Sequence, residues 1–240
     1  GASSKAITTG SGTDTIVLNG NRVHTVDAGA GNDASITVTS TAATSVIDGG
    51  AGNDTITLTD VDQYVVLGND GNDTFTTGAA IAATIVGGEG TDTMTFTAAV
   101  TPAAGFFSDA ESLNLTAVNG TTAFTQTTFA GLASSAITAT GGDDILQVTV
   151  GTGTTAGTLD ASGLTVAAGS TVTINYLTGS TVSDTITGGV AAETFNMNEI
   201  RGADTIEGGA TGIDTLSSND TTVTETGSAA STGVVLNMGT

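Results

Sequence analysis

Apolar residues recur in two series along the first hundred residues, and polar residues separate them. One series alternates with threonine, as in the stretch TITL at residues 55–58, where Ile56 and Leu58 share one face of an extended chain. The other series comes just before a run of glycines, as in SVID at residues 45–48. Because alternation over several residues is typical of a half-buried strand, the pattern predicts two short strands in each repeat.

The two series are in phase with a glycine-rich phrase that ends in aspartate. The phrases TGSGTD, AGAGND, GGAGND, GNDGND and GGEGTD are spaced by 19, 21, 19 and 19 residues. They end at Asp14, Asp33, Asp54, Asp73 and Asp92. The apolar residue seven positions before each aspartate is Ile7, Val26, Ile47, Val66 or Ile85. The apolar residue two positions after is Ile16, Ile56, Phe75 or Met94, whereas the second copy has Ile36 one position later, which predicts a bulge there.

A fixed period near 20 residues is the signature of a solenoid. Each rung is predicted to be a strand, a turn, a second strand and a glycine-rich turn. Stacked rungs pair strand to strand in parallel and bury aliphatic rows that no single rung could bury alone. The sequence therefore predicts an all-β fold, with regular rungs over residues 1–97.

A degraded form of the repeat returns near the C-terminus. VSDTI, GGVAAETF, RGADTI and GGATGIDTL place acids at Asp184, Glu193, Asp204 and Asp214, which are 9, 11 and 10 residues apart. Since this spacing is half of the earlier period, we expect further rungs over residues 141–240 with acidic turns on both edges. Residues 98–140 carry a weaker signal and are expected to hold irregular rungs or an insertion.

Composition and charge support this class and limit the partners. Glycine is frequent (35 residues), and threonine prefers strands, so a helical protein is excluded. The 24 acidic residues face three basic ones, for a net charge of −21, which excludes nucleic acid and anionic membranes as partners. Cysteine is absent, and no transmembrane segment or signal sequence is visible. The chain begins at Gly1 without an initiator methionine, and we expect it to be a fragment of a longer protein.

The glycine-rich turns have the chemistry of a calcium site. Glycine permits positive φ angles, which let backbone carbonyls point into a common hollow, and the following aspartate adds a carboxylate. Such hard oxygen ligands suit Ca²⁺. Stacked rungs also bring aspartates to about 4.8 Å from one another, where two bare carboxylates repel by roughly 3 kcal/mol at an effective dielectric of about 20. We therefore expect a cation between each pair.

The stretch GGAGNDTIT at residues 49–57 resembles the RTX nonapeptide G-G-x-G-x-D-x-U-x. The resemblance implies a right-handed parallel β-roll or β-helix that holds several Ca²⁺ ions between successive turns. It implies carboxylate ligands at Asp14, Asp33, Asp54, Asp73, Asp92, Asp184, Asp204 and Asp214, with weaker binding expected at Glu193 and Asp214. It implies turn glycines beside the ions at Gly12, Gly31, Gly50, Gly52, Gly71, Gly88 and Gly90.

Two further segments carry a second resemblance. FSDAESLNL (107–115) and LDASGLT (159–165), in a chain rich in threonine and alanine, resemble bacterial surface-layer (S-layer) proteins exported by type I secretion. This implies a non-enzymatic, self-assembling protein of the cell surface, with possible contact to cell-surface polysaccharide through regions outside this chain. An adhesin repeat domain, or the RTX module of a secreted lipase, protease or epimerase, remains the alternative.

Other residues have side chains that could form a catalytic or binding site. The single histidine, His24, is expected to be structural, because no zinc site of several histidines can form. The pairs Asp143 with Asp144 and Asp60 with Asp62 could be glycosidase acids, but adjacent residues in a strand point to opposite faces, and motif remnants or a solvated turn explain such pairs as well. The outward threonines, with Thr55, Thr74 and Thr93 in register, could form a flat ice-binding array, although outward threonine is also what any half-exposed strand prefers.

Overall fold

The computed structural model describes residues 4–20, 22–33, 35–39, 44–59, 64–78, 83–102, 106–116, 118, 120–125, 132–149, 158–168, 171–177, 185–189, 194–197, 205–208, 214–218 and 234–238. These residues form strands and no helix, and the pairings between the described strands are parallel, so the predicted all-β solenoid is confirmed. The chain comprises two compact units, residues 1–114 with 131–133 and residues 115–130 with 134–240. Among the described residues there is no helix that could span a membrane.

Two parallel sheets make up the first unit. Its strands are β1 (Lys5–Thr8), β2 (Thr15–Asn19), β3 (His24–Asp27), β4 (Ser35–Thr39), β5 (Ser45–Ala51), β6 (Thr55–Leu58), β7 (Tyr64–Asp70), β8 (Thr74–Thr77), β9 (Thr84–Glu89), β10 (Thr93–Phe96), β11 (Phe107–Ser108) and β12 (Ala110–Thr116). The odd-numbered strands form one sheet in chain order and the even-numbered strands form the other. Each rung thus holds one strand of each sheet, as the two apolar series predict.

The register places equivalent residues of successive rungs side by side. In one sheet Val26 pairs with Ile47, which pairs with Val66. In the other sheet Ile56 pairs with Phe75 and Phe75 with Met94. These columns are buried and form the core between the sheets. Phe107 of the sixth rung closes over this core, with its ring 5.6 Å from that of Phe75 in an edge-on contact.

The outer face of the even-numbered sheet carries threonine columns. Thr55, Thr74 and Thr93 are in register, as are Thr57, Thr76 and Thr95. The predicted bulge of the second rung falls on residue 34, which lies outside the described residues. The pairing of Thr15 with Ser35 requires one extra residue between Asp33 and the strand, in agreement with that expectation.

The second unit is also built of parallel strands. They are β13 (Thr121–Thr125), β14 (Leu132–Thr140), β15 (Asp143–Thr149), β16 (Thr158–Asp160), β17 (Leu164–Val166), β18 (Thr171–Leu177), β19 (Thr185–Thr187), β20 (Thr194–Met197), β21 (Thr205–Glu207), β22 (Asp214–Ser218) and β23 (Val234–Met238). One sheet has the order β13-β15-β18-β20-β22-β23, a second has the order β16-β19-β21, and β14 pairs with β17. Buried side chains Leu146, Ile174, Phe195 and Leu216 follow one another in register through the first of these sheets.

The C-terminal acids precede strands of two different sheets. The strands after Asp184 and Asp204 pair through Thr185 and Thr205. The strand after Glu193 pairs with the strand that begins at Asp214. The half-period spacing predicted this alternation. Asp184, Glu193 and Asp204 themselves lie outside the described residues.

Candidate metal centre

The glycine-rich turns stack so closely that they leave no room for side chains. The seven glycines singled out from the sequence all have positive φ, between 99° and 138°, namely Gly12, Gly31, Gly50, Gly52, Gly71, Gly88 and Gly90. A Cβ added at Gly52 or Gly71 would lie closer than 3.0 Å to the carbonyl oxygen of the matching glycine one rung before. Glycine is therefore required twice over, by backbone conformation and by contact with the carbonyl below.

Hydrogen bonds link the aspartates of the first unit into a ladder. The amide N–H of Asp14 donates to Oδ1 of Asp33, and the amides of the next three aspartates do the same to the aspartate one rung later, each at 2.8 Å. The side chains of Asp33, Asp54, Asp73 and Asp92 are at most 1% exposed. The carboxylates are therefore not bare, which corrects the expectation from the sequence. One oxygen of each accepts a hydrogen bond from the amide of the preceding aspartate.

The second oxygen of every carboxylate in this ladder has no protein partner. Oδ2 of Asp14, Asp33, Asp54, Asp73 and Asp92 is buried and accepts no hydrogen bond. A buried carboxylate oxygen that accepts nothing carries a large desolvation cost, so it indicates a missing positive partner.

Three of these oxygens, Oδ2 of Asp54, Asp73 and Asp92, each face a hollow above a glycine five residues earlier. A Cβ added at Gly68 would lie closer than 3.0 Å to both Oδ2 of Asp73 and the carbonyl oxygen of Gly87 in the next rung. At Gly49 the same atom would lie 2.6 Å from Oδ2 of Asp54 and 3.3 Å from the carbonyl oxygen of Gly68. Carboxylate and carbonyl oxygens from two rungs therefore converge on one space that only the absence of a side chain leaves open.

Electrostatics agrees with this geometry. Burial raises the pKa of Asp73 to about 6, although the hydrogen bond from the Asp54 amide acts in the opposite direction, and the neighbouring Asp54 and Asp92 raise it further. Burial likewise raises the pKa of Asp54 and of Asp92. The ladder therefore concentrates negative charge that has been removed from water, in a chain with only three basic residues against 24 acidic ones.

A second ladder runs along the exposed side of the same turns. The amide of Asn53 donates to Oδ1 of Asn32, that of Asn72 to Asn53, and that of Thr91 to Asn72, at 2.8–2.9 Å. These bonds run toward earlier rungs, whereas the aspartate bonds run toward later ones. These bonds explain the asparagine just before the aspartate, because its side-chain oxygen is the acceptor that fixes the outer edge of the turn.

The donors fit Ca²⁺. They are hard oxygens from carboxylates and main-chain carbonyls of two successive rungs, and calcium accepts six to eight such ligands in flexible geometry. No cluster of three or more His, Asp or Glu side chains able to hold a metal ion occurs within the described ranges, so backbone carbonyls must supply much of the ligand set. A bound cation would supply the positive charge that the unpartnered Oδ2 atoms require. Such cations would be held by the carbonyls of the turns together with the carboxylates of Asp33, Asp54, Asp73 and Asp92.

The ladder continues beyond the last glycine–aspartate phrase. Oε2 of Glu111 accepts from the amide of Asp92 at 2.7 Å and so takes the place of an aspartate in the sixth rung. Glu111 was not predicted as a member of the ladder, because no run of glycines precedes it. The spacing of 19 residues from Asp92, with Leu113 two positions after Glu111, was the signal that could have found it.

Among its described residues the second unit has two buried acids, Asp144 and Asp214. Oδ2 of Asp214 lies against Gly208, in the manner of the hollows of the first unit. Asp144 is buried while Asp143 is exposed and accepts from Oγ1 of Thr171 at 2.6 Å. The two adjacent acids thus lie on opposite faces, as expected, and do not form a catalytic pair. Asp60 and Asp62 lie outside the described residues.

The fold and the ladder define a parallel β-solenoid with calcium-binding turns. A comparison with protein-family models matches residues 39–59 and 65–80 to the RTX calcium-binding nonapeptide repeat (4 copies). The matched residues include the turns of Asp54 and Asp73. These two stretches are therefore similar to RTX repeats, and such repeats bind calcium. A search of the curated proteins and a search of the solved structures each give no significant match.

Proposed function

We propose that this chain is a calcium-stabilised structural segment of a secreted surface-layer protein, which assembles laterally with copies of itself on the cell surface. The observation that carries the proposal is the continuous ladder of buried carboxylates, each with one oxygen left for a cation. RTX repeats are typical of extracellular proteins that leave the cell by type I secretion, and this supports the secreted location.

Calcium would link folding of the first unit to its surroundings. Ligand that binds only the folded state adds to its stability, by about 2.7 kcal/mol for each site at a hundred times the Kd. Where Ca²⁺ is scarce, the buried carboxylates oppose folding, so the chain can remain unfolded for export. Outside the cell, abundant Ca²⁺ favours the stacked rungs.

Charge connects calcium to assembly. At a net charge of −21, copies of the chain repel one another. Each bound Ca²⁺ lowers this charge by two units, and calcium can also bridge acids on neighbouring molecules. The aliphatic and threonine-rich outer faces of the sheets, with Val65 41% exposed, then offer lateral contact surfaces once repulsion is reduced.

A structural role is favoured over an enzymatic one by the state of the residues that catalysis would use. The single histidine, His24, is buried in the core, where the amide of His24 donates to Oγ of Ser45. Asp143 and Asp144 face opposite sides of their strand. We therefore propose that this segment itself is not catalytic, even if it is part of an adhesin or of a larger secreted enzyme.

Light scattering and electron microscopy of the purified protein during a Ca²⁺ titration test the proposal. We expect ordered assemblies to form as Ca²⁺ rises and to dissolve on chelation. Sodium chloride of matched ionic strength should not reproduce them, because it screens charge without bridging acids. A full-length protein that binds Ca²⁺ and folds but stays monomeric at millimolar Ca²⁺ would reject the surface-layer function and leave the calcium sites intact.

A further inference from the structure

The aspartate ladder ends in a turn that the RTX phrase does not describe. In the fifth rung, six residues run from Gly87 to Asp92, whereas in the sixth rung only three run from Asp109 to Glu111. The register shows this equivalence, because Ser108 pairs with Val86 and the amides of Glu111 and Ser112 donate to the carbonyl of Asp92. The short turn contains no glycine, and the longer side chain of Glu111 reaches the position that an aspartate occupies elsewhere.

The hollow above Gly87 is nevertheless built like those below it. Oδ2 of Asp92 is buried, has no hydrogen-bond partner, and faces the point where a Cβ of Gly87 would lie. The main-chain carbonyl oxygen of Asp109 faces the same point. The backbone of Asp109 has a φ of +55°, which is unusual for a residue other than glycine. In this conformation its carbonyl oxygen faces the same hollow as Oδ2 of Asp92.

The side chains of the short turn add negative charge to this hollow. The carboxylates of Glu111 and Asp109 both repel the Asp92 carboxylate and, after burial, are the causes that raise its pKa. Unlike the aspartates of the interior rungs, these two acids belong to no phrase that would supply a further hollow above them. Both acids lie in the turn that follows this hollow, and Glu111 contacts the amide of Asp92, so they add negative charge beside it.

We propose that the hollow above Gly87 is a divalent-cation site formed by the carboxylate of Asp92, the main-chain carbonyl of Asp109 and the carboxylate of Glu111. The oxygen ligands specify a calcium-like ion and not Mg²⁺, which keeps its own water and requires a tighter octahedron. This site ends the stack of calcium sites and ties the short sixth rung to the regular rungs. The proposal concerns calcium binding alone and does not depend on the surface-layer function.

Calcium stoichiometry and affinity, measured by equilibrium dialysis on the whole chain, test the site. We expect Glu111→Gln to remove one bound ion from the total. Glu89→Gln is the matched control, because Glu89 is an exposed turn residue that undergoes the same chemical change one rung earlier. An unchanged number of ions and unchanged affinities in Glu111→Gln would overturn the proposal, as would an equal loss in both variants.

Two further variants keep the test decisive if Glu111→Gln perturbs the fold. Asp109→Asn retains the carbonyl and a residue that tolerates positive φ, so we expect the ion to be kept with an affinity reduced about tenfold. Gly87→Ala fills the hollow directly, and because its Cβ would clash with the main-chain carbonyl oxygen of Asp109, its melting temperature in chelator is measured beside the ion count. If both changes act at one site, Gly87→Ala combined with Glu111→Gln should lose one ion, as each single variant does. A loss of two ions in the double variant would show that Glu111 serves another site and would reject the assignment.

Discussion

The two units share the parallel strand architecture but differ in how they treat buried acids. In the first unit every rung brings an acid, so that the amide of one aspartate meets the carboxylate of the next. In the second unit the buried Asp144 pairs in register with Val172, an apolar residue, and no ladder of acids forms among its described residues. The comparison shows that the carboxylate ladder needs an acid at the matching position of the next rung, since Asp144 meets the apolar Val172 there.

Calcium removal should produce the largest difference in behaviour between the two units. With a chelator, we expect the amides of β4, β6, β8 and β10 to lose protection from hydrogen exchange by more than about a hundredfold, since each site contributes about 2.7 kcal/mol at a hundred times its Kd. The amides of β15 and β18 should lose much less. Hydrogen exchange measured by mass spectrometry resolves the two regions, and equal loss in both would contradict the comparison. Excess Mg²⁺ in place of Ca²⁺ should not restore protection.

Substitution of one ladder residue should have the next largest effect. Asp54→Ala leaves the buried amide of Asp33 without its acceptor, which costs about 1–3 kcal/mol even without calcium, and it also removes a calcium ligand. We expect a lower melting temperature with and without Ca²⁺, measured by circular dichroism. Glu193→Ala, the matched change in the second unit, should lower it less.

Asp54→Asn distinguishes the two roles of the carboxylate. The amide keeps an oxygen for the hydrogen bond from Asp33 but loses the negative charge. We expect this variant to be at least as stable as the parent in chelator and less stable in Ca²⁺. Destabilisation in both conditions would show that the charge does not act through calcium.

Filling a hollow should weaken calcium binding and also strain the stacked turns, because the added methyl group would clash with a main-chain carbonyl oxygen. Gly68→Ala places a methyl group between Oδ2 of Asp73 and the carbonyl of Gly87, and we expect the loss of about one ion by equilibrium dialysis. Gly78→Ala is the control, because its Cβ would meet only Oγ1 of Thr97, at 2.7 Å, and that side chain can rotate away. Equal ion counts for the two variants would remove Gly68 from the site.

The smallest effect concerns pH in the absence of calcium. Because burial raises the pKa of Asp73 from 3.8 to about 6, the native state holds this proton more tightly than the unfolded state. The resulting stability is fully present below about pH 3.8 and is lost as the pH rises through about 6. In chelator, the melting temperature should therefore be higher at about pH 4.5 than at about pH 7.5, and Asp73→Asn should flatten the difference. A higher melting temperature at the upper pH would contradict the sign.

The repeat could be predicted because the period of the sequence is also the period of the stacked rungs. The alternation around Ile56 and the period of the aspartates specified the strands, their parallel pairing and the buried columns. The two hydrogen-bond ladders were not predicted, because a spacing does not say which oxygen accepts from which amide. The hollow above Gly68 was missed for a related reason: its φ is not positive, so only its contact with Asp73 in three dimensions reveals why it must be glycine.

The ladder also has a mechanical consequence. The described bonds of the Asp and Asn ladders join groups 19 or 21 residues apart, so each rung is held only by its immediate neighbours. A force that pulls on the ends of the chain therefore loads one outer rung at a time and leaves the others intact. Each rung that detaches releases about 65–75 Å of extended chain. Under tension the first unit would therefore lengthen rung by rung, and a cation bound between two rungs would raise the force at which they separate.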